Sequence, residues 1–168
     1  MIVPKVLKGF NLFVDGIGFA GLVEEVTLPK LDLKMTDVYN GGMDVPIGME
    51  MGMEKLECSF SLSEYNTNVL KQFGLRDGSR VSLAMRGGLD DEDGGVIPVT
   101  VNLVGAWKGL DMGAWKSGEK APLKVSVGLR YYKLTIGSEE LIEVDVVNMV
   151  RIINGKDQLA DMRAAIGI

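Results

Sequence analysis

Strict alternation of apolar and polar side chains recurs along this chain, and it permits few structures other than half-buried β-strands. Over residues 55–62 the even positions Leu56, Cys58, Phe60 and Leu62 are apolar, and Lys55, Glu57, Ser59 and Ser61 are polar. The same period runs through residues 81–85, 97–103 and 123–129. Each such strand offers one face to a core and one to water. After Tyr131-Tyr132 the apolar parity moves to Leu134 and Ile136, the shift that a one-residue bulge produces. Asp15-Gly16 stands between residues 10–14 and a return through Phe19 and Leu22, a hairpin signal. Gly137-Ser138 turns into a strand expected from Leu141 to about Ile153.

Two segments carry helical spacing instead. Ser61 and Glu64 stand three apart as in a capping box, Tyr65, Val69, Leu70 and Phe73 share a face, and Gly74 follows, which predicts a helix over about 64–73. Asn154-Gly155 precedes a second, over about 156–166, with the narrow stripe Leu159, Met162 and Ile166 before Gly167. A terminal helix this short must dock on something. The expected fold is mainly β (α+β): an antiparallel β-sandwich or barrel with one packed helix and a short C-terminal helix, in one domain over residues 1–168. Twenty-two glycines, about twice the usual share, suit a turn-rich chain.

The absent residues remove much chemistry. The chain has no histidine, so imidazole bases, Ser-His-Asp triads and histidine-ligated metals are excluded. Its single cysteine, Cys58, can form no internal disulfide and faces a core, usage that fits a reducing compartment. A net charge of −5 argues against docking on nucleic acid through phosphates. No signal-peptide pattern opens the sequence and no apolar run is long enough for a membrane span, so a soluble chain, cytosolic at birth, is expected.

The remaining constellations weigh unequally. Asp90-Asp91-Glu92-Asp93 lacks calcium-loop spacing and reads as a solvated hairpin tip. Glu143 and Asp145 lie on one strand face but as any exposed strand offers, and no glycine segment has the dinucleotide or phosphate-loop pattern. No catalytic residue, cofactor or metal is therefore expected. Residues 36–54 show neither period and read as a long loop, holding Met43, Met49, Met51 and Met53. Residues 105–122 contain a short repeat, Gly105-Ala106-Trp107-Lys108 and Gly113-Ala114-Trp115-Lys116. Methionine adapts to irregular partners and tryptophan is enriched at interfaces. This set therefore points to inter-subunit contact, the alternative being that the loops cover a sheet end.

Several segments resemble the major tail tube proteins of contractile-tailed bacteriophages and the related R-type pyocin tubes. They are residues 131–136, the ordered Glu143, Asp145, Asn148 and Met149, the closing Ala165-Ile166-Gly167-Ile168, residues 11–16, Thr27-Leu28-Pro29-Lys30-Leu31, and Gly41-Gly42-Met43. The likeness covers nearly the whole chain, with residues 64–122 matching in pattern only.

The resemblance implies no catalysis but a structural subunit: hexameric rings stack into a tube inside a contractile sheath, as a channel for DNA ejection into the host. Partners implied are the chain itself, the sheath, tape measure, baseplate or initiator, and tail terminator proteins. DNA would pass through the lumen without specific binding, and the location is the virion tail after assembly in the bacterial cytoplasm. Inter-subunit contacts are then expected at Met43, Met49, Met51, Met53, Trp107, Trp115, Leu159, Met162 and Ile166, and Glu57, Glu143 and Asp145 are candidates for an acidic lumen. The tube protein of an R-type pyocin or type VI-like secretion machine and, more distantly, a carbohydrate-binding β-sandwich are the alternatives.

Overall fold

The computed structural model describes residues 1–168. Twelve strands and two short helices follow in the order β1 (Val6–Val14), β2 (Ile17–Gly18), β3 (Val23–Thr27), β4 (Leu33–Val38), β5 (Ile47–Met53), β6 (Glu57–Leu62), α1 (Thr67–Leu70), β7 (Val81–Asp90), β8 (Val96–Asp111), β9 (Leu123–Ile136), β10 (Glu139–Asp145), β11 (Val150–Ile153), β12 (Lys156–Asp157) and α2 (Ala160–Ile166). The mainly β, antiparallel fold agrees with the alternation that predicts it.

One sheet runs β12-β11-β10-β9-β8-β7-β1-β2, and β6 joins it beside β9 with β3 beyond. The branch sits in β9. Its first half pairs β6, with Cys58 opposite Val127, and its second half pairs β10, with Val144 opposite Tyr132. Between the halves Val104 faces Tyr131 and Gly105 faces Leu129, so Arg130 is the extra residue and the expected bulge is present. A bulge bends its strand and exchanges the two faces. Leu129 and Tyr132 are both buried as a result, although three positions apart. At this bend a Cβ on Gly105 would lie 2.2 Å from the Gly128 carbonyl oxygen, so only glycine lets β8 and β9 approach this closely.

The inward positions gather into one core of 20 residues, including Leu12, Phe60, Leu83, Val101, Leu103, Trp107, Val125 and Val127. Cys58 lies among them, and burial pushes its thiol up to about 12. The folded protein is expected to resist thiol reagents at pH 8 and to react stoichiometrically once denatured. Rapid labelling of the native chain would contradict this placement.

Asp15-Gly16 makes the expected two-residue turn, both residues having positive φ (48° and 82°), with Phe13 opposite Gly18. Other boundaries differ from expectation. Ser61 is not a helix cap: it pairs with Lys124 inside β6, because the β6–β9 ladder claims the segment through Leu62. The helix shrinks to the four residues of α1, capped by the Asn66 side chain, which accepts from the Asn68 N–H at 3.0 Å. Val69 is buried beneath it, while Phe73 stays exposed.

The C-terminal helix likewise starts later. Asn154-Gly155, with φ of 51° and 81°, forms a hairpin turn that pairs Ile153 with Lys156 and Ile152 with Asp157, leaving α2 only Ala160–Ile166. The strand expected from Leu141 to about Ile153 is two strands. Asp145 breaks it, its carboxylate accepting from the Asn148 backbone N–H at 3.1 Å and side-chain N–H at 2.7 Å.

Candidate assembly interface

The long loop expected over 36–54 is a separate two-stranded sheet, β4–β5. Val38 pairs with Ile47, Thr36 with Met49 and Met35 with Glu50. Alternation therefore puts Ile47 and Met49 on one face and Met35 and Glu50 on the other. Residues 47, 49, 51 and 53 do alternate with glycine or glutamate, and this period was the signal for a strand. Tyr39, Val45, Ile47, Met49 and Met51 are all exposed. An isolated hairpin with so much bare apolar surface is marginal in water unless something covers it.

Glu50 fixes which way the hairpin faces. Arg151 of β11 donates to both its carboxylate oxygens, at 2.9 and 3.2 Å, and the Gly52 N–H donates to one of them at 3.1 Å. The fork holds the Glu50 face toward β11 and leaves the Ile47–Met49 face to solvent. It also holds the Glu50 carboxyl below its ordinary value of 4.5. A depressed carboxyl stabilises its contact above the unfolded value, and the contribution is lost as pH falls through the folded value. Protection of the amides in residues 47–53, measured against their intrinsic exchange rate at each pH, is therefore expected to fall below about pH 4 before that of the core does; protection unchanged from pH 7 to 3 would disprove the clamp.

The sequence-derived contact residues separate into three groups. Met49 and Met51 stand exposed, at 51% and 62%, on β5. Met43 is half-buried in the turn, its sulfur accepting from the Asn40 N–H at 3.3 Å. Met53 does not belong with them. Met51 and Gly52 together oppose Lys34, since Leu33 pairs with Met53 and Met35 with Glu50, and this bulge turns Met53 back against the core.

Trp107 is a correction outright. It is buried on β8, its ring edge-on to Phe60 at 5.5 Å and its Nε1–H donating to the Val69 carbonyl at 2.7 Å. Its counterpart in the repeat, Trp115, is 77% exposed, stacked on Tyr65 at 6.3 Å and donating to the Tyr65 hydroxyl at 2.7 Å. The Tyr65 hydroxyl in turn donates to the Met112 carbonyl.

In α2 no residue is buried: Leu159, just before it, is half-buried, and Met162 and Ile166 are exposed. The helix is held by Arg163, which donates to Asp157 at 2.6 Å and to the Met149 carbonyl at 2.8 Å. Its apolar stripe remains uncovered.

The three acidic candidates are all engaged. Glu57 pairs with Lys108 at 2.6 Å and Lys55 at 3.3 Å, which lower its carboxyl. Glu143 accepts from the Tyr131 hydroxyl at 2.8 Å. Burial and that carboxylate push the Tyr131 phenol up. Asp145 closes its turn as described. At the tip between β7 and β8, Lys8 pairs with Asp90 at 3.3 Å and Glu92 at 2.8 Å. The Asp91 carboxylate accepts from the Gly94 N–H at 2.7 Å and the Asp93 N–H at 3.1 Å. These partners suit a solvated turn.

Two contact features escaped the sequence reading. Tyr39, Val45 and Ile47 belong to the same bare surface as Met49, and the period-2 pattern from Ile47 could have revealed them. The Glu50–Arg151 fork joins residues 101 positions apart, with no local signal.

Known proteins place this arrangement. The sequence model of the phage tail tube protein FII family matches residues 4–167. The tail tube protein of Escherichia phage P2 is 32% identical over 172 aligned positions, covering 100% of both chains. The major tail tube protein of Serratia phage KSP20 is 27% identical, covering 96% of this chain and 94% of that one. Among solved structures, the sheath/tube terminator of an extracellular contractile injection system (PVC) in its extended state shares the fold, with a TM-score of 0.60 over 76% of this chain and 94% of that chain at 10% identity. The chain thus belongs to the phage tail tube protein FII family and has that family's structural role in the tail tube.

Proposed function

We propose that this chain is the repeating subunit of a contractile tail's tube. Six copies close into a ring and rings stack inside a sheath, forming a channel through which DNA leaves the particle. The observation that carries this reading, beside the full-length family match, is the amount of surface left bare. The chain exposes 10988 Å², where a compact monomer of 18.2 kDa exposes about 8,100 Å². The surplus is of the size that obligate assemblies bury, and much of it is apolar side chain on the hairpin, the N-terminal strand and α2.

Head-to-tail contacts that close give rings, and ring faces that match give a filament. Joining strands between neighbours also removes exposed sheet edges such as β2 and β12. The apolar face of β4–β5 serves contact between stacked rings. Sheath, tape measure, baseplate initiator and tail terminator are the partners of such a tube, which is assembled in the host cytoplasm and acts in the virion tail. Its role is mechanical, without catalysis. Any of Glu57, Glu143 and Asp145 that faces the lumen would discourage phosphates from sticking.

Negative-stain electron microscopy of the purified protein, over a range of concentration and salt and with a baseplate initiator added, tests the reading. Six-fold rings or hollow tubes are expected. A chain that stays monomeric with the initiator present would overturn it.

A further inference from the structure

The hairpin β4–β5 is joined to the rest of its subunit by very little. No backbone hydrogen bond links it to the main sheet: its ladder is internal, and its foot closes on itself where the Glu54 N–H donates to the Asp32 carbonyl at 2.9 Å. Leu31 and Met53 pack that foot against the core. Beside it an apolar crevice of about 470 Å³ separates Leu33 and Met53 from Ile142, Val144 and Ile153. Between Met53 and Glu50 the strand bulges, and Gly52 has a φ of 107°, which side chains other than glycine rarely adopt. A bulge, an open space and a two-stranded sheet that is marginal alone together make a joint.

One polar contact spans the crevice. The Glu50–Arg151 fork is the only side-chain hydrogen bond or ion pair between residues 33–53 and the rest of the chain. Both of its ends are well seated. The Gly52 N–H, at the bulge itself, donates to the Glu50 carboxylate. The Arg151 side chain is only 12% exposed, its carbonyl accepts from the Gln158 N–H at 2.7 Å, and β11 is paired on both edges, by β10 and β12. The neighbouring carboxylates do not compete for it. Asp32, which shares the crevice, pairs with Lys30 at 3.3 Å, and Asp157 of β12 pairs with Arg163 at 2.6 Å.

A two-pronged guanidinium–carboxylate pair fixes orientation as well as distance. A hairpin already held in one direction loses less freedom when its apolar face is covered, and such ordering strengthens association without adding a contact.

We propose that Glu50 and Arg151 are positioning residues for tube assembly: through a contact inside one subunit they hold the hairpin ready, and so lower the protein concentration at which tubes form. The assignment rests on the tube reading and adds to it what sets the assembly threshold.

Glu50→Gln keeps the size of the side chain and removes its charge. Tube formation by this chain is expected to need about tenfold more protein, with the melting temperature of the subunit unchanged. Amide protection in residues 47–53 of the free subunit is expected to fall at the same time, while the tubes that do form look normal by electron microscopy. Because Glu50→Gln leaves the Arg151 charge unpaired, Glu50→Gln/Arg151→Met serves as the second chain, and the same rise is expected from it.

An unchanged assembly concentration in either folded variant would overturn the proposal and leave the tube reading standing. Hairpin protection equal to that of the unmodified chain would do the same. Melting that falls in both variants along with assembly would assign the pair to folding and refute the positioning role. An unmodified chain that forms no tubes, even with a baseplate initiator, would overturn both readings.

Discussion

Trp107→Ala is expected to cost about 4 kcal/mol of folding stability, a large share of the 5–15 kcal/mol typical of a domain. Three losses combine. The indole leaves a cavity among core residues, the edge-on contact with Phe60 at 5.5 Å disappears, and the Val69 carbonyl loses the donor at 2.7 Å that ties α1 to β8. Trp107→Phe keeps most of the volume and forfeits the hydrogen bond, for about 1–2 kcal/mol. Trp115→Ala removes an exposed ring and its stack on Tyr65, and a change under about 1 kcal/mol is expected. Urea unfolding followed by far-ultraviolet circular dichroism ranks the three. Equal effects at the two tryptophans would contradict the division of the repeat into one core and one surface copy.

Met49→Ser/Met51→Ser is expected to leave a folded, soluble chain that does not polymerise. Both side chains are exposed in the subunit, so its stability should change by no more than about 0.5 kcal/mol. Covering a methionine at an interface contributes about 1.5 kcal/mol or more, so losing two from every contact costs about 3 kcal/mol, roughly 150-fold in affinity. The loss repeats at each contact of a ring. Met53→Ser behaves differently because Met53 packs against the core, and about 2 kcal/mol of subunit stability should go with it. Sedimentation of assembled material together with thermal melts of the subunit separates these outcomes. Normal tubes from the double variant would remove the hairpin face from the assembly interface.

The two predictions concern residues whose sequence signals look alike. Gly-Ala-Trp-Lys occurs twice, and the repeat itself does not say which indole is inside. Trp107 continues the buried odd parity of Val101, Leu103 and Gly105, and β8 bulges at Lys108 only after it, whereas Trp115 falls in the connection before β9. Partners distant in sequence made that decision. The methionines teach the same lesson at shorter range, since the single extra residue opposite Lys34 sends Met53 inward and leaves Met49 outside.

What the sequence by itself determined was the class of structure and the chemistry it lacks. Period-2 alternation needs only the pleat of a strand to be read, so the strands over 55–62, 81–85, 97–103 and 123–129, the Asp15-Gly16 turn, the bulge beside Tyr131 and the core position of Cys58 were legible. The absence of histidine and the family's residue pattern pointed to a structural subunit without any geometry. Only the tertiary structure decided where strands end and which apolar groups stay bare. Ser61, Asn154-Gly155 and residues 36–54 each had a local pattern compatible with helix or loop, and ladder pairing with β9, β11 and β4 overrode it, because a paired backbone satisfies its hydrogen bonds while a short helix leaves most of its own open. The Glu50–Arg151 fork and the crevice it spans likewise exist only once strands remote in the chain lie side by side, since a side chain's exposure depends on every element packed around it and not on its neighbours in sequence.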